Sequence, residues 1–89
     1  MPKIAIDTES ISAIMKRLTE ASEGIQEYIE SVEKSVNLAE LEGWNDKKYY
    51  EFKESFYDTK YSAMSVISKI EEEQIPFLSK LLSASEELL

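Results

Sequence analysis

Between Ile11 and Ala39 apolar residues return every seven positions, and this spacing constrains the fold more than any other feature of the chain. Ile11, Leu18, Ile25, Val32 and Ala39 form one row. Ile14, Ala21, Tyr28 and Ser35 form the row beside it, and Met15, Ile29 and Val36 widen the stripe on one flank. A strand would alternate every two residues; this pattern specifies an amphipathic helix with a face broader than a strict coiled-coil seam. The other face carries Lys16, Arg17, Glu20, Glu23, Glu27, Glu30, Glu33, Lys34 and Glu40, with Glu30 and Lys34 in the favourable i,i+4 order. Asp7 or Thr8 supplies an N-cap, and Glu9 suits the positive end of the helix dipole. Gly24 sits inside the helix at a cost of about 1 kcal/mol against Ala, as either a close-contact point or a tolerated defect.

The pattern predicts a first helix over about 8–42, a turn at about 43–46 and a second helix over about 47–74. Gly43 is a natural residue just past a helix end, and Asn45 or Asp46 can cap the next helix. In the second helix Tyr49, Phe52, Phe56, Ala63, Val66, Ile67 and Ile70 mark the apolar face, and Thr59 and Lys60 interrupt it for about one turn. Pro76 lacks a backbone donor, crowds the carbonyl four residues earlier and disfavours α geometry at Ile75, so a break or kink is expected between Glu72 and Ile75. The segment 77–89 then continues as helix through Phe77, Leu78, Leu81 and Leu82 and frays toward Leu89. Two long helices joined by so short a turn make an all-α antiparallel hairpin. A hairpin has no third layer, and each stripe is wider than one partner helix can cover. The expected state is therefore half of a four-helix bundle, completed by a second chain.

The chain has 89 residues, no Cys and no His. That excludes disulfides, thiol or imidazole metal sites and Ser/His or Cys/His catalysis. One Arg leaves no Arg-lined phosphate pocket, and the carboxylates lie on solvated helix faces, so no enzyme activity and no cofactor are expected. The run Glu71-Glu72-Glu73 lacks the glycine turn and ligand spacing of a calcium loop and reads as a solvated face. Eighteen acidic residues against ten basic ones leave a net charge of −8, which disfavours binding to nucleic acid or anionic lipid. No apolar run is long enough to span a bilayer, and the start Met1-Pro2-Lys3-Ile4 lacks the apolar core of a signal peptide. Export, if it occurs, is expected to proceed without a cleaved signal.

Trp44, Tyr49, Tyr50, Phe52, Phe56, Tyr57 and Tyr61 cluster at the hairpin end, with Lys47, Lys48, Lys53 and Lys60 among them. Aromatics mixed with lysines can stack single-stranded nucleic acid, but Glu51, Glu54 and Asp58 neutralise these lysines. Phe52 and Phe56 read as core. The tyrosines either line the bundle edge or form a docking surface, where Trp and Tyr dominate binding energy. Trp44 is unusual in a tight turn, where Gly, Asn and Asp prevail. It either plugs the open end of the bundle or presents its indole to a partner.

The stretch Gly43-Trp44-Asn45-Asp46-Lys47-Lys48-Tyr49-Tyr50-Glu51-Phe52, together with the lead-in Ile4-Ala5-Ile6-Asp7-Thr8-Glu9-Ser10-Ile11, resembles the Trp-X-Gly (WXG) family. These are the early-secreted-antigen-like substrates and helpers of type VII secretion, hairpins of about one hundred residues with that signature in the turn. Asp46 stands where the signature has glycine. The family's tail signal, Tyr followed four residues later by an acid, is absent from the C-terminal part; the one such spacing is Tyr50 to Glu54. The resemblance implies a homodimer, or a heterodimer with a paralogue or the helical domain of a larger effector. It also implies export dependent on a secretion ATPase, with the protein secreted or held in the cytoplasm beforehand. A chain without its own tail signal would suit a targeting partner. On this reading Trp44, Asn45 and Asp46 shape recognition, while Ile11, Leu18, Ile25, Val32, Phe52, Phe56, Ile67 and Ile70 hold the dimer. Alternative readings are an assembly subunit of needle-like or phage type, and a cytosolic chaperone or antitoxin-like partner.

Overall fold

In the computed structural model, residues 7–87 are described, with side chains through Ala84; the lead-in Met1–Ile6 and the end of the expected fraying segment lie outside them. The described chain is helical apart from the turn. Helix α1 spans Thr8–Leu41, α2 spans Lys47–Lys69, a π-helical turn covers Ile70–Gln74, and α3 runs over Ile75–Glu87. The result is a rod 67 Å long and 17 by 14 Å across.

Caps set the ends of α1. Asp7 holds extended backbone and its carboxylate accepts from Ser10 N at 3.1 Å and Ser10 Oγ at 2.8 Å, which satisfies one orphan donor of the first turn. At the other end Gly43 takes φ +110°, a region that a side chain disfavours. That conformation lets Trp44 N donate to Ala39 O (2.9 Å) and Gly43 N to Glu40 O (3.1 Å), the paired bonds of a Schellman termination. Asp46, not Asn45, then caps α2, accepting from Tyr49 N at 2.9 Å.

The hairpin buries a different pair of rows from the two expected. Ile11, Leu18, Ile25, Val32 and Ala39 are buried or half-buried, but the second inward row is Met15, Ser22, Ile29 and Val36. Ile14, Ala21, Tyr28 and Ser35 lie exposed along one edge, with Tyr28 at 70%. α1 is rotated so that Ile29 and Val36 pack inward in place of Tyr28 and Ser35, and on the opposite edge Glu33 reaches Lys60 and Glu40 reaches Lys53. The densest core lies toward the turn, where Ile29, Val36, Tyr49 and Phe56 are buried and Ile25, Val32, Ala39, Tyr57 and Ala63 pack on them. Phe52, read as core, is instead 47% exposed.

Pro76 neither breaks the helix nor displaces Ile75, which keeps φ −64° and ψ −47°. The perturbation is a π turn over Ile70–Gln74, overlapping the expected window Glu72–Ile75. The backbone widens there, and Ile75 N donates to Ile70 O, five residues back instead of four. The extra residue rephases everything downstream. The central row Tyr49, Phe56, Ala63, Ile70 would reach Phe77 and Ala84 in an unbroken α-helix. Instead Ile75, Leu78, Leu81 and Leu82 are half-buried, Phe77 is 63% exposed and Ala84 is exposed.

Candidate interaction surface

Trp44 follows Gly43 directly, so the helix termination aims its indole. One part of the ring meets Tyr49 edge-on, with centroids 5.2 Å apart and planes at 66°. The ring also stacks on Phe52 at 6.4 Å and 29°. Trp44 packs on the end of the core and keeps 46% of its surface exposed.

Beneath it, Tyr49 has no exposed surface. Its hydroxyl shares one proton between Val36 O at 3.1 Å and Glu40 Oε2 at 3.0 Å. Glu40 also accepts from Lys53 Nζ at 3.0 Å and from the Tyr50 hydroxyl at 3.2 Å. The Lys53 hydrogen bond, then the Tyr49 bond, holds the Glu40 carboxyl below the usual carboxylate range. Burial, followed by the Glu40 bond, pushes the Tyr49 phenol up. Farther along the same edge, Lys60 Nζ lies 2.6 Å from Glu33 Oε2, a bond that lowers Glu33 and raises Lys60. Lys60 interrupts the apolar stripe because it reaches across the hairpin to a carboxylate on α1. Both lysines also sit near aromatic rings, Lys53 at 5.7 Å from the Tyr49 centroid and Lys60 at 5.5 Å from that of Tyr57. Thus Lys53 and Lys60 are neutralised by Glu40 and Glu33 across the hairpin. Glu54 and Asp58, expected to do this, pair with neither. Lys48 does pair with Glu51, at 3.6 Å.

These bonds line one long edge of the rod, and the chain continues it toward the open end. Ser22, 1% exposed, donates from Oγ to Glu71 Oε1 at 2.8 Å and so ties α1 to the π turn. Sequence reasoning passes over Ser22, although its seven-residue spacing with Met15, Ile29 and Val36 places it on the inward row. The run Glu71-Glu72-Glu73 splays around the helix. Glu71 meets Ser22, Glu72 accepts from Ser68 at 2.9 Å, and Glu73 lines a groove on the other edge.

That other edge is apolar. Ile14 and Leu18 line a groove with Phe77, Leu78, Lys69, Glu73 and Gln74, of about 500 Å³. Ala21, Tyr28 and Ser35 extend the row of Ile14 along α1. Val66 and Phe52 extend the row of Glu73 along α2, and the stacked Trp44 closes the strip at the turn. Of the residues expected to hold a dimer, Ile11, Phe56 and Ile70 are buried within the chain itself. Leu18, Ile25, Val32 and Ile67 are half-buried, and Phe52 is open. Ile67 faces the ion-paired edge, beside Met64 and Lys60. Trp44 and the adjoining Asn45 and Asp46 are exposed at the tip.

Among the described residues no helix is long and apolar enough to cross a membrane. No protein family, curated protein or solved structure matches this chain.

Proposed function

We propose that this chain is a non-enzymatic interaction protein associated with type VII secretion. It is exported as a helical-hairpin dimer or acts as the targeting partner of a larger effector. The observation that carries the reading is a half-exposed Trp44 held in the turn of an antiparallel hairpin whose apolar surface is too wide for two helices to cover. An aromatic anchor beside an uncovered apolar strip is the composition of a binding hot spot, not of a solvated loop. The Trp-X turn in a hairpin of this size adds support from the resemblance to the Trp-X-Gly family. Dimerisation into a four-helix bundle follows from the need to cover the strip.

The test is the amount of intact chain in culture supernatant of the source organism, with and without the type VII ATPase, with mass spectrometry of co-purifying chains. ATPase-dependent appearance, alone or with an effector, is the expected result. Retention in both strains with no secretion partner among the co-purifying chains discards the reading. A Trp44→Ala variant is expected to lose at least about tenfold in export or partner capture, a hot-spot loss near ~1.4 kcal/mol, while circular dichroism keeps its helical signal.

A further inference from the structure

The ion-paired edge carries a groove of its own. Two bonds across the hairpin mark its ends, Lys60–Glu33 toward the turn and Ser22–Glu71 toward the open end. They stand eleven residues apart along each side of the hairpin, about 16 Å. Between them lies a trough of about 490 Å³, with Ile29, Met64 and Ile67 in its lining. Ile29 is buried, Ile67 half-buried and Met64 52% exposed, so the apolar surface rises from the core to solvent. Four carboxylates also line the trough, against one lysine. Glu33 is taken by Lys60, while Glu30, Glu71 and Glu72 pair with no lysine or arginine among the described residues. An apolar floor under an unbalanced negative rim is complementary to a segment that is both apolar and positive.

We infer that this groove binds a short extended segment of another protein, with basic side chains four residues apart and an apolar one midway between them. Glu30 lies eight residues along α1, about 12 Å, from the level of the Ser22–Glu71 bond. In an extended segment side chains i, i+2 and i+4 face the same way, and i and i+4 are about 13 Å apart. One base therefore meets Glu30 and the other meets Glu71 and Glu72, while the apolar side chain between them falls on Ile29, Met64 and Ile67. A helix about 10 Å across would need roughly 1,300 Å³ over the same length, far more than the groove offers. Tyr61, 68% exposed, stands seven residues before Ser68, which lines the groove, and so flanks it with a ring that a cation can approach. The groove lies on the edge opposite the Trp44 strip, and its binding does not rest on the secretion reading.

The probe is a capped, fluorescein-labelled pentapeptide, Arg-Ser-Leu-Ser-Arg, too short to hold a helix, titrated with the purified full chain and followed by fluorescence anisotropy. Saturable binding is expected, weakening as salt rises. Glu30→Gln combined with Glu72→Gln should lower the affinity at least about tenfold, and Met64→Ser about threefold or more. All three side chains are exposed, so the thermal melt by circular dichroism should stay in place. Glu42→Gln combined with Asp58→Asn removes the same charge outside the groove and should leave the affinity within about twofold. An equal loss in that control, or equal binding of Arg-Ser-Ser-Ser-Arg, would reveal only diffuse attraction to the net charge of −8 and overturns the groove. Absence of saturable binding to the parent chain overturns it outright. The supernatant and co-purification experiment decides the secretion reading separately, whichever way this titration falls.

Discussion

Gly24 and Gly43 look alike in sequence and are opposite in structure. Gly43 holds a backbone angle that only glycine adopts freely, and the Schellman bonds that end α1 depend on it. Gly24 lies within α1, and a methyl group built on it meets nothing within 4 Å. Within the hairpin it makes no close contact. Gly24→Ala is therefore expected to stabilise the chain by about 0.5–1 kcal/mol, raising the melting temperature by about 3–6 °C in a thermal scan at fixed protein concentration. Residue types are plain in the sequence; their use is not. Asn45 and Asp46 are equally good caps on paper, yet only Asp46 accepts from an α2 amide, because the Gly43 turn sets the entry angle. Ser22 carries no signal of its own in the sequence, and only the fold brings Glu71 opposite it.

Among the helical segments, the π turn departs furthest from expectation. A proline at 76 predicts a break or kink just upstream, between Glu72 and Ile75, and the π turn Ile70–Gln74 overlaps that window without ending the helix. The chain inserts one residue there, which relieves the crowding at Glu72 and turns Leu78, Leu81 and Leu82 toward α1. If the π turn is a single extra residue forced by Pro76, deleting Glu73 together with Pro76→Ala should close it into ordinary α-helix. The leucines would keep their inward phase, and the cooperative melt followed by circular dichroism should stay within about 1 kcal/mol of the parent. Deleting Glu54 from the middle of α2 would rotate every later residue by about 100° and is expected to abolish the cooperative transition. Equal damage from both deletions would refute the assignment of the extra residue to this turn. The lengths of the helices and the place of the turn were legible, since a seven-residue spacing and a glycine mark them locally. The skip was not, because nothing in Ile70–Gln74 differs in type from an exposed acidic stretch of α-helix.

Across the assembled rod, the cross-hairpin ion pairs tie stability to pH. Glu33 and Glu40 have lowered folded-state values, chiefly through their hydrogen bonds to Lys60 and Lys53. Such groups bind fewer protons in the folded chain, so their contribution is present above the ordinary glutamate value of about 4.3 and is lost as pH falls through the lowered folded value. Lys53 and Lys60 are raised by the same bonds, so their share is fully present below the ordinary lysine value of about 10.4 and is lost as pH rises through the raised folded value. Urea midpoints are expected to be flat between about pH 5 and 9 and to fall on both sides. In a Glu33→Gln, Glu40→Gln double variant the acid fall should be shallower. An unchanged acid limb would show that these pairs do not couple to folding.

Two long helices in an antiparallel hairpin, the point where α1 ends, and an apolar stripe wider than one partner helix can cover are all readable from residue order. They follow from periodicity, caps and one glycine, each of which acts within a few residues. Which rows of the stripe lie inside the hairpin and which remain outside is settled by the fold alone. The two candidate rows on α1 differ by a single helical position, and residue types rank them almost equally. That choice involves residues far apart in the chain, which no local pattern encodes: Glu40 and Glu33 meet Lys53 and Lys60 on one edge, and the π turn leaves Phe77 exposed on the other.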